Sequence, residues 1–306
     1  MAKTNPPKSA PQHPVSPESP FMKLQSEVSQ AYELRSGLIK KIQDHFKAQV
    51  FVYFTSFADF TAEICNDDAE MLENVLSVEH DGNKLILILN SPGGQALAAE
   101  RIVNVCRAYS DNNFDVVVPH MAKSAATMIC FGASTIHMSK TAELGPVDPQ
   151  VIYKNDAGDE RWLSAAEYVR SYDKLMTAAT SGRAKRLEPL LQQLSRYDAR
   201  YIEQLLSHQQ LSEDISVRLL KSGMMKGRSE KSIKRAIAPF LVQQQKSEHG
   251  RMINQEEAAC CGLSLETLDL KSDIWNRVWE LYVRSNFVVQ TQCKAIIESP
   301  LSAARR

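Results

Sequence analysis

The run Lys84-Leu85-Ile86-Leu87-Ile88-Leu89-Asn90 constrains this chain more than any other segment. A strand with one face in water alternates apolar and polar residues; an unbroken aliphatic run fits a strand covered on both faces, the usual state inside a parallel sheet. The run ends in Ser91-Pro92-Gly93-Gly94. Helical spacing follows, with Ala99, Ile102, Val103 and Cys106 on one face. A second apolar run at Phe114–His120 then completes strand, glycine turn, helix and strand, which is a βαβ unit. Two more buried strands are expected, over Gln49–Thr55 and Ala133–Met138.

Around this core the pattern changes. Residues 1–20 are rich in proline and have almost nothing to bury, so a disordered tail is expected. Leu24, Val28, Ala31, Leu34 and Leu38 recur at helical spacing, which predicts a helical arm over residues 21–48. Residues 49–162 read as the β/α core. Beyond Leu163 helical periodicity dominates, over 163–180, 184–208, 212–222, 230–246 and 272–297. Residues 163–306 are therefore expected to be a helical half that packs on the sheet, completes the site and forms an oligomer interface. Trp275, Trp279 and Tyr282 follow helical spacing on its last helix and read as packing or interface residues.

Composition narrows the function classes. The chain has 306 residues, 43% of them hydrophobic, which suits one large domain with helical additions. Its 36 basic and 36 acidic residues cancel, so no electrostatic nucleic-acid binder is indicated. The six cysteines include no C-x-x-C pair and read as reduced structural thiols, which suits the cytoplasm. No apolar run is long enough to span a bilayer, and no secretory leader is visible. There is no GxxxxGK[ST] phosphate loop, and His120 and His137, each ending a strand, lack converging ligands for a metal. No cofactor is expected.

Several stretches carry possible chemistry. In Ser91-Pro92-Gly93-Gly94, proline fixes one dihedral and the glycines admit conformations other residues avoid, so the turn can aim backbone N–H groups into a cleft. It reads equally as a plain strand-to-helix turn. In residues 116–133, VVVPHMAKSAATMICFGA, a strand runs through small residues into an apolar helix. Ser124 sits at that helix N-terminus, where developing negative charge is favoured; the alternative is a capping serine. In residues 141–150, TAELGPVDPQ, the prolines hold Asp148 in an extended loop, where it can orient a histidine or cap its own turn. His249 falls in the loop Ser247-Glu248-His249-Gly250 before a helix start at Asn254, where a histidine is commonly a surface residue.

Taken in order, LNSPGG, VVPHMAKSAATMICFGASTIHM and ELGPVDPQ resemble the serine dehydrogenase proteinases, relatives of Clp proteases and signal peptide peptidase A. The likeness is continuous from about Lys84 to Gln150 and resumes at residues 249–268. It implies an α/β fold with a Clp/crotonase-type β/α spiral core, hydrolysis of polypeptide and homo-oligomerisation. It also implies Ser124 as nucleophile, with the N–H groups of Gly93, Gly94 and Ala125 lining an oxyanion hole. The family's Ser, Asp, His order leaves His208 and His249 as bases after Asp148. His249 lies in the matching segment and is the one expected. Signal peptide peptidases use a serine–lysine dyad, for which Lys174 is the alternative base; Lys123 is expected to point elsewhere. The same fold also serves crotonase-type acyl-CoA enzymes and non-catalytic assembly proteins. A serine in AKSAA is a residue the acyl-CoA chemistry does not require.

Overall fold

The computed structural model describes residues 31–59, 61–79, 82–154, 158, 160–182, 186–241 and 252–306. The expected N-terminal tail, the start of the helical arm and His249 lie outside them. In chain order the elements are α1 (Ala31–Phe46), β1 (Gln49–Thr55), α2 (Asn66–Glu79), β2 (Leu85–Asn90), α3 (Ala96–Tyr109), β3 (Phe114–Val118), β4 (Met121–Ala122), α4 (Ala125–Gly132), β5 (Ile136–Met138), β6 (Glu143–Leu144), β7 (Gln150–Lys154) and β8 (Glu160–Ser164). Then follow α5 (Ala165–Thr180), α6 (Glu188–Leu194), α7 (Ala199–Ser222), α8 (Glu230–Ala236), α9 (Gln255–Cys260), β9 (Leu265–Thr267), α10 (Asp273–Thr291), β10 (Ala295–Glu298) and β11 (Ala303–Arg305).

The main sheet runs β11-β10-β1-β2-β3-β5-β9. From β1 to β9 it is parallel, with Phe51 opposite Leu87 and Leu87 opposite Val116. The aliphatic run behaves as its composition requires. Leu85, Leu87 and Leu89 enter one core with α2, α3, α4 and α7, while Ile86 and Ile88 enter a second with α1 and α10. Both faces are thus sealed by helices, the α/β arrangement expected from the sequence.

The sheet departs from the parallel expectation at one edge. The helix expected to reach residue 297 stops at Thr291, and Ala295–Glu298 is a strand antiparallel to β1, itself paired with β11. Ala295-Ile296-Ile297 is too short a run for its period to distinguish strand from helix continuation, and all three side chains are buried in the sheet. The region beyond Leu163 is accordingly not only helical. The separate periodicities over 184–208 and 212–222 resolve as α6 and one long helix, α7, which starts at the Asp198 cap. None of the described helices is long and apolar enough to cross a membrane.

The antiparallel edge is pinned by a buried charge pair. Arg35 on α1 donates through Nε and Nη2 to both Glu298 carboxylate oxygens at 2.7 and 2.6 Å, and the two side chains are 1% and 0% exposed. Breaking such a pair leaves a buried charge without its partner, which costs about 3–5 kcal/mol, whereas replacing both partners costs far less. Arg35→Ala is expected to lower unfolding free energy by that amount in urea titration, and Arg35→Met with Glu298→Leu to recover most of it.

At the opposite edge Asp115 Oδ2 lies 2.6 Å from Lys84 Nζ and 3.0 Å from His137 Nε2, while His137 Nδ1 lies 3.3 Å from Glu266 on β9. Burial pulls the Asp115 carboxyl up, but hydrogen bonds from His137 and Lys84 outweigh it and hold the group below its ordinary value. A carboxyl depressed on folding contributes stability that is full above its unfolded value near ~4 and fades as pH falls through the folded value. Asp115→Asn should therefore be less stable than wild type at neutral pH, with the gap in urea midpoint narrowing below pH ~4.

Candidate active site

The site is assembled where β2 ends. Asn90 closes the strand, and the backbone of Ser91 then bonds twice across to the segment that leads into α4. Its N–H donates to the Met121 carbonyl at 3.1 Å, and its carbonyl accepts the Lys123 N–H at 3.0 Å. The glycine turn is thereby laid alongside Ser124. Gly93 has φ +109° and Gly94 φ +155°. A Cβ on Gly93 would stand 2.7 Å from Ser124 Cβ, and one on Gly94 would stand 2.3 Å from the Ile64 nitrogen. Only glycine permits both this conformation and this approach.

Ser124 is the N-cap of α4 by position, yet its side chain makes no capping bond. The capping alternative therefore fails. Its backbone has φ 50° and ψ −119°, a region a residue with a Cβ enters only under constraint. The constraint is visible. Every residue of α4 is buried, so the helix cannot shift to relax the turn. Thr127 Oγ1 on that helix lies 2.8 Å from the Ala122 carbonyl and 3.0 Å from the Gly145 carbonyl, and accepts the Gly145 N–H at 3.1 Å. No described residue is hydrogen-bonded to the Ser124 hydroxyl, and Ser124 lines an open cleft of about 690 Å³.

That cleft brings Ser124 together with Gly93, Gly94, Met128, Leu211 and His208. Its rim carries Asp59 and Glu63; hydrogen bonds from the Thr61 hydroxyl and N–H hold the Asp59 carboxyl below its ordinary value. Of the three expected oxyanion donors, Gly93 N–H is engaged by Ser91 Oγ at 3.1 Å. Gly94 and Ala125 N–H have no acceptor among the described residues.

Asp148 is 6% exposed and accepts a hydrogen bond from Ser164 Oγ at 2.5 Å. It lines a smaller cavity of about 200 Å³ with Arg170, Glu213 and Leu241, which meets the Ser124 cleft at Pro149 and Ser212. His249 lies outside the described residues, but the chain on either side is anchored beside Asp148. Phe240 accepts the Val147 N–H at 2.9 Å, and Ile253 pairs with Leu144 at 2.9 and 3.0 Å. Lys174 is exposed on α5 and does not line the cleft. Lys123 points elsewhere, as expected: its Nζ meets Glu143 Oε1 at 2.5 Å. Among the described residues no three His, Cys, Asp or Glu side chains converge as metal ligands do.

The residue the sequence reading passed over is His208. The motif order favoured the histidine in the matching segment, but α7 presents His208, Leu211 and Ser212 together to the cleft. Their spacing of three and four residues on a helix is the signal that marks them as one face.

Two uncharacterized proteins of Methanocaldococcus jannaschii are 34% and 39% identical to this chain, each over 85 residues. Those matches cover 28% of this chain and 29% of each relative, so the chain spans under a third of the length of the curated relatives it matches. Among solved structures, a mutant of the 1510-N membrane-bound stomatin-specific protease is similar at 16% identity and a TM-score of 0.36, over 78% of this chain and 86% of that one. The family comparison reaches the site directly, because its matched segment contains β1 to β7, the glycine turn, Ser124 and Asp148. Over residues 39–162 the chain matches the family model of the ClpP-like SDH-type serine proteinases.

Proposed function

We propose that this chain is a serine peptidase that hydrolyses polypeptide through an acyl-enzyme on Ser124. The observation that carries the reading is the backbone of Ser124: φ 50° at the start of a buried helix, in a residue that lines a cleft and whose side chain makes no capping bond. A fold holds a residue with a Cβ in that region only when the surroundings over-determine it, and such residues cluster at reacting centres. In this mechanism Ser124 Oγ attacks the substrate carbonyl as its proton passes to an imidazole. Backbone N–H groups of the glycine turn and of Ala125 hold the oxyanion; its collapse breaks the C–N bond as the imidazolium gives its proton to the departing amine, and water, deprotonated by the same imidazole, then releases the acyl group. Residues 49–162 form the protease core and residues 163–306 complete the site. Trp279, Val283 and Phe287, exposed at spacing four on α10, would serve contact between copies in a homo-oligomer.

His249 is the proposed base, with Asp148 as the group that orients it. The anchoring of Phe240 to Val147 and of Ile253 to Leu144 supports this by holding the chain on either side of His249 next to Asp148. One observation favours a second base: His208 lines the same cleft as Ser124. A crotonase-type acyl-CoA enzyme or a non-catalytic assembly protein would need no reactive serine.

Labelling of the purified chain with a fluorophosphonate probe tests the reading. Wild type is expected to label and Ser124→Ala not to. His249→Ala should label about a thousandfold more slowly, with His208→Ala and Lys174→Ala close to wild type. A thousandfold loss in His208→Ala instead would move the base to α7, and a wild type that never labels would remove the nucleophile. The strained backbone provides a separate check. Ser124→Gly relieves a left-handed residue and should be about 1 kcal/mol more stable than wild type in urea unfolding, a gain Ser124→Ala lacks.

A further inference from the structure

Ser91 carries more bonds than a turn residue needs. Beyond its two backbone bonds to Met121 and Lys123, its hydroxyl lies 2.7 Å from Thr55 Oγ1 and accepts the Gly93 N–H at 3.1 Å. Ser91 and Thr55 are both 0% exposed, so neither hydroxyl has solvent as an alternative partner. The Gly93 carbonyl is also occupied, accepting the Ile64 N–H at 2.8 Å. Both peptide units flanking Gly93 are therefore pinned, one by Ser91 and one by Ile64. In a planar trans peptide the N–H and C=O point in opposite directions. Since the Gly93 carbonyl is turned to Ile64, the Gly94 N–H in the same peptide is turned away from it. Gly94 lines the cleft, and no described residue accepts its N–H.

We propose that Ser91 is a positioning residue of the oxyanion site: its hydroxyl, steadied by Thr55, holds the Gly93 N–H out of the reaction and orients the next peptide, so that Gly94 and Ala125 supply the two donors. This rests on the reading of Ser124 as a nucleophile and divides the glycine turn between its two residues. Gly93 provides the close approach to Ser124; Gly94 provides the hydrogen bond. A donor committed at 3.1 Å to a buried hydroxyl cannot also meet a developing oxyanion with good geometry. The oxyanion is bound most strongly in the transition state, so loosening this peptide should slow the chemical step more than it weakens binding.

The experiment is fluorophosphonate labelling of the full chain across a range of probe concentrations. It separates the maximal labelling rate from the concentration that gives half of it. Ser91→Ala is expected to lower the maximal rate about tenfold or more and to leave the half-saturating concentration within about twofold, with Ser124 still the labelled residue. Thr55→Val should lower the rate in the same sense, and Thr55→Ser should restore it. A folded Ser91→Ala that labels at the wild-type rate, or that loses rate only through weaker probe binding, overturns the proposal. Should Ser91→Ala not fold, Thr55→Val decides: labelling equal to wild type overturns it, and a slower rate rescued by Thr55→Ser supports it. A wild type that does not label defeats the Ser124 reading and this one with it, whereas an unchanged Ser91→Ala beside a reactive wild type defeats this one alone.

Discussion

The candidate site hangs from two backbone hydrogen bonds at Ser91, to Met121 and Lys123. They continue the sheet by one residue past β2 and fasten the end of that strand to the chain entering α4. Parallel strands normally splay their loops apart beyond their carboxyl ends, which is where open α/β sheets place their clefts. Here one pair of loops is held together. The result is that Gly93 touches Ser124 closely enough to exclude any side chain.

Such a junction stores strain, and the fold has to supply rigidity to match. A left-handed serine costs on the order of 1–2 kcal/mol, small against a fully buried helix but large enough to relax if its neighbours could move. α4 cannot move. All its residues are buried, Thr127 staples it to Ala122 and Gly145, and Arg107 on α3 donates to the Gly132 carbonyl at 3.1 and 2.9 Å, satisfying its carboxyl end. The same Arg107 reaches the Leu219 carbonyl on α7 at 2.9 Å. The helix that carries Ser124 and the helix that carries His208 are therefore held by one guanidinium, which makes the cleft between them a fixed feature of the packing.

How far the sequence could be read follows from the range of the interactions involved. The β2 run and the strand-turn-helix after it are local patterns, and both cores confirm which residues face which way. Ser124 was legible as a residue at a strand-to-helix junction, but its dihedral angles were not. They arise from contacts between residues 91–94 and 121–125, which no local window contains. The antiparallel β10 was missed for a similar reason. Ala295-Ile296-Ile297 has no period of its own, and only its partners on β1 and the Arg35–Glu298 pair make it a strand. His208 was visible on a helix face, yet nothing in the sequence says that this face meets the glycine turn.

The arrangement of charged groups divides labour between the two parts of the chain. The strand ends supply Ser124 and backbone donors, but the nearby ionisable side chains of the core are already engaged. Lys123 is paired with Glu143, His137 lies between Asp115 and Glu266, and His120 packs against Trp279 and Tyr282, where burial lowers its proton affinity. In the proposed mechanism the proton of Ser124 passes to a histidine from beyond Leu163, His249 or His208. The core alone would then be a strained serine without a base. On that proposal the packing of the C-terminal elements against α3 and α4 would be a condition of activity as well as of stability.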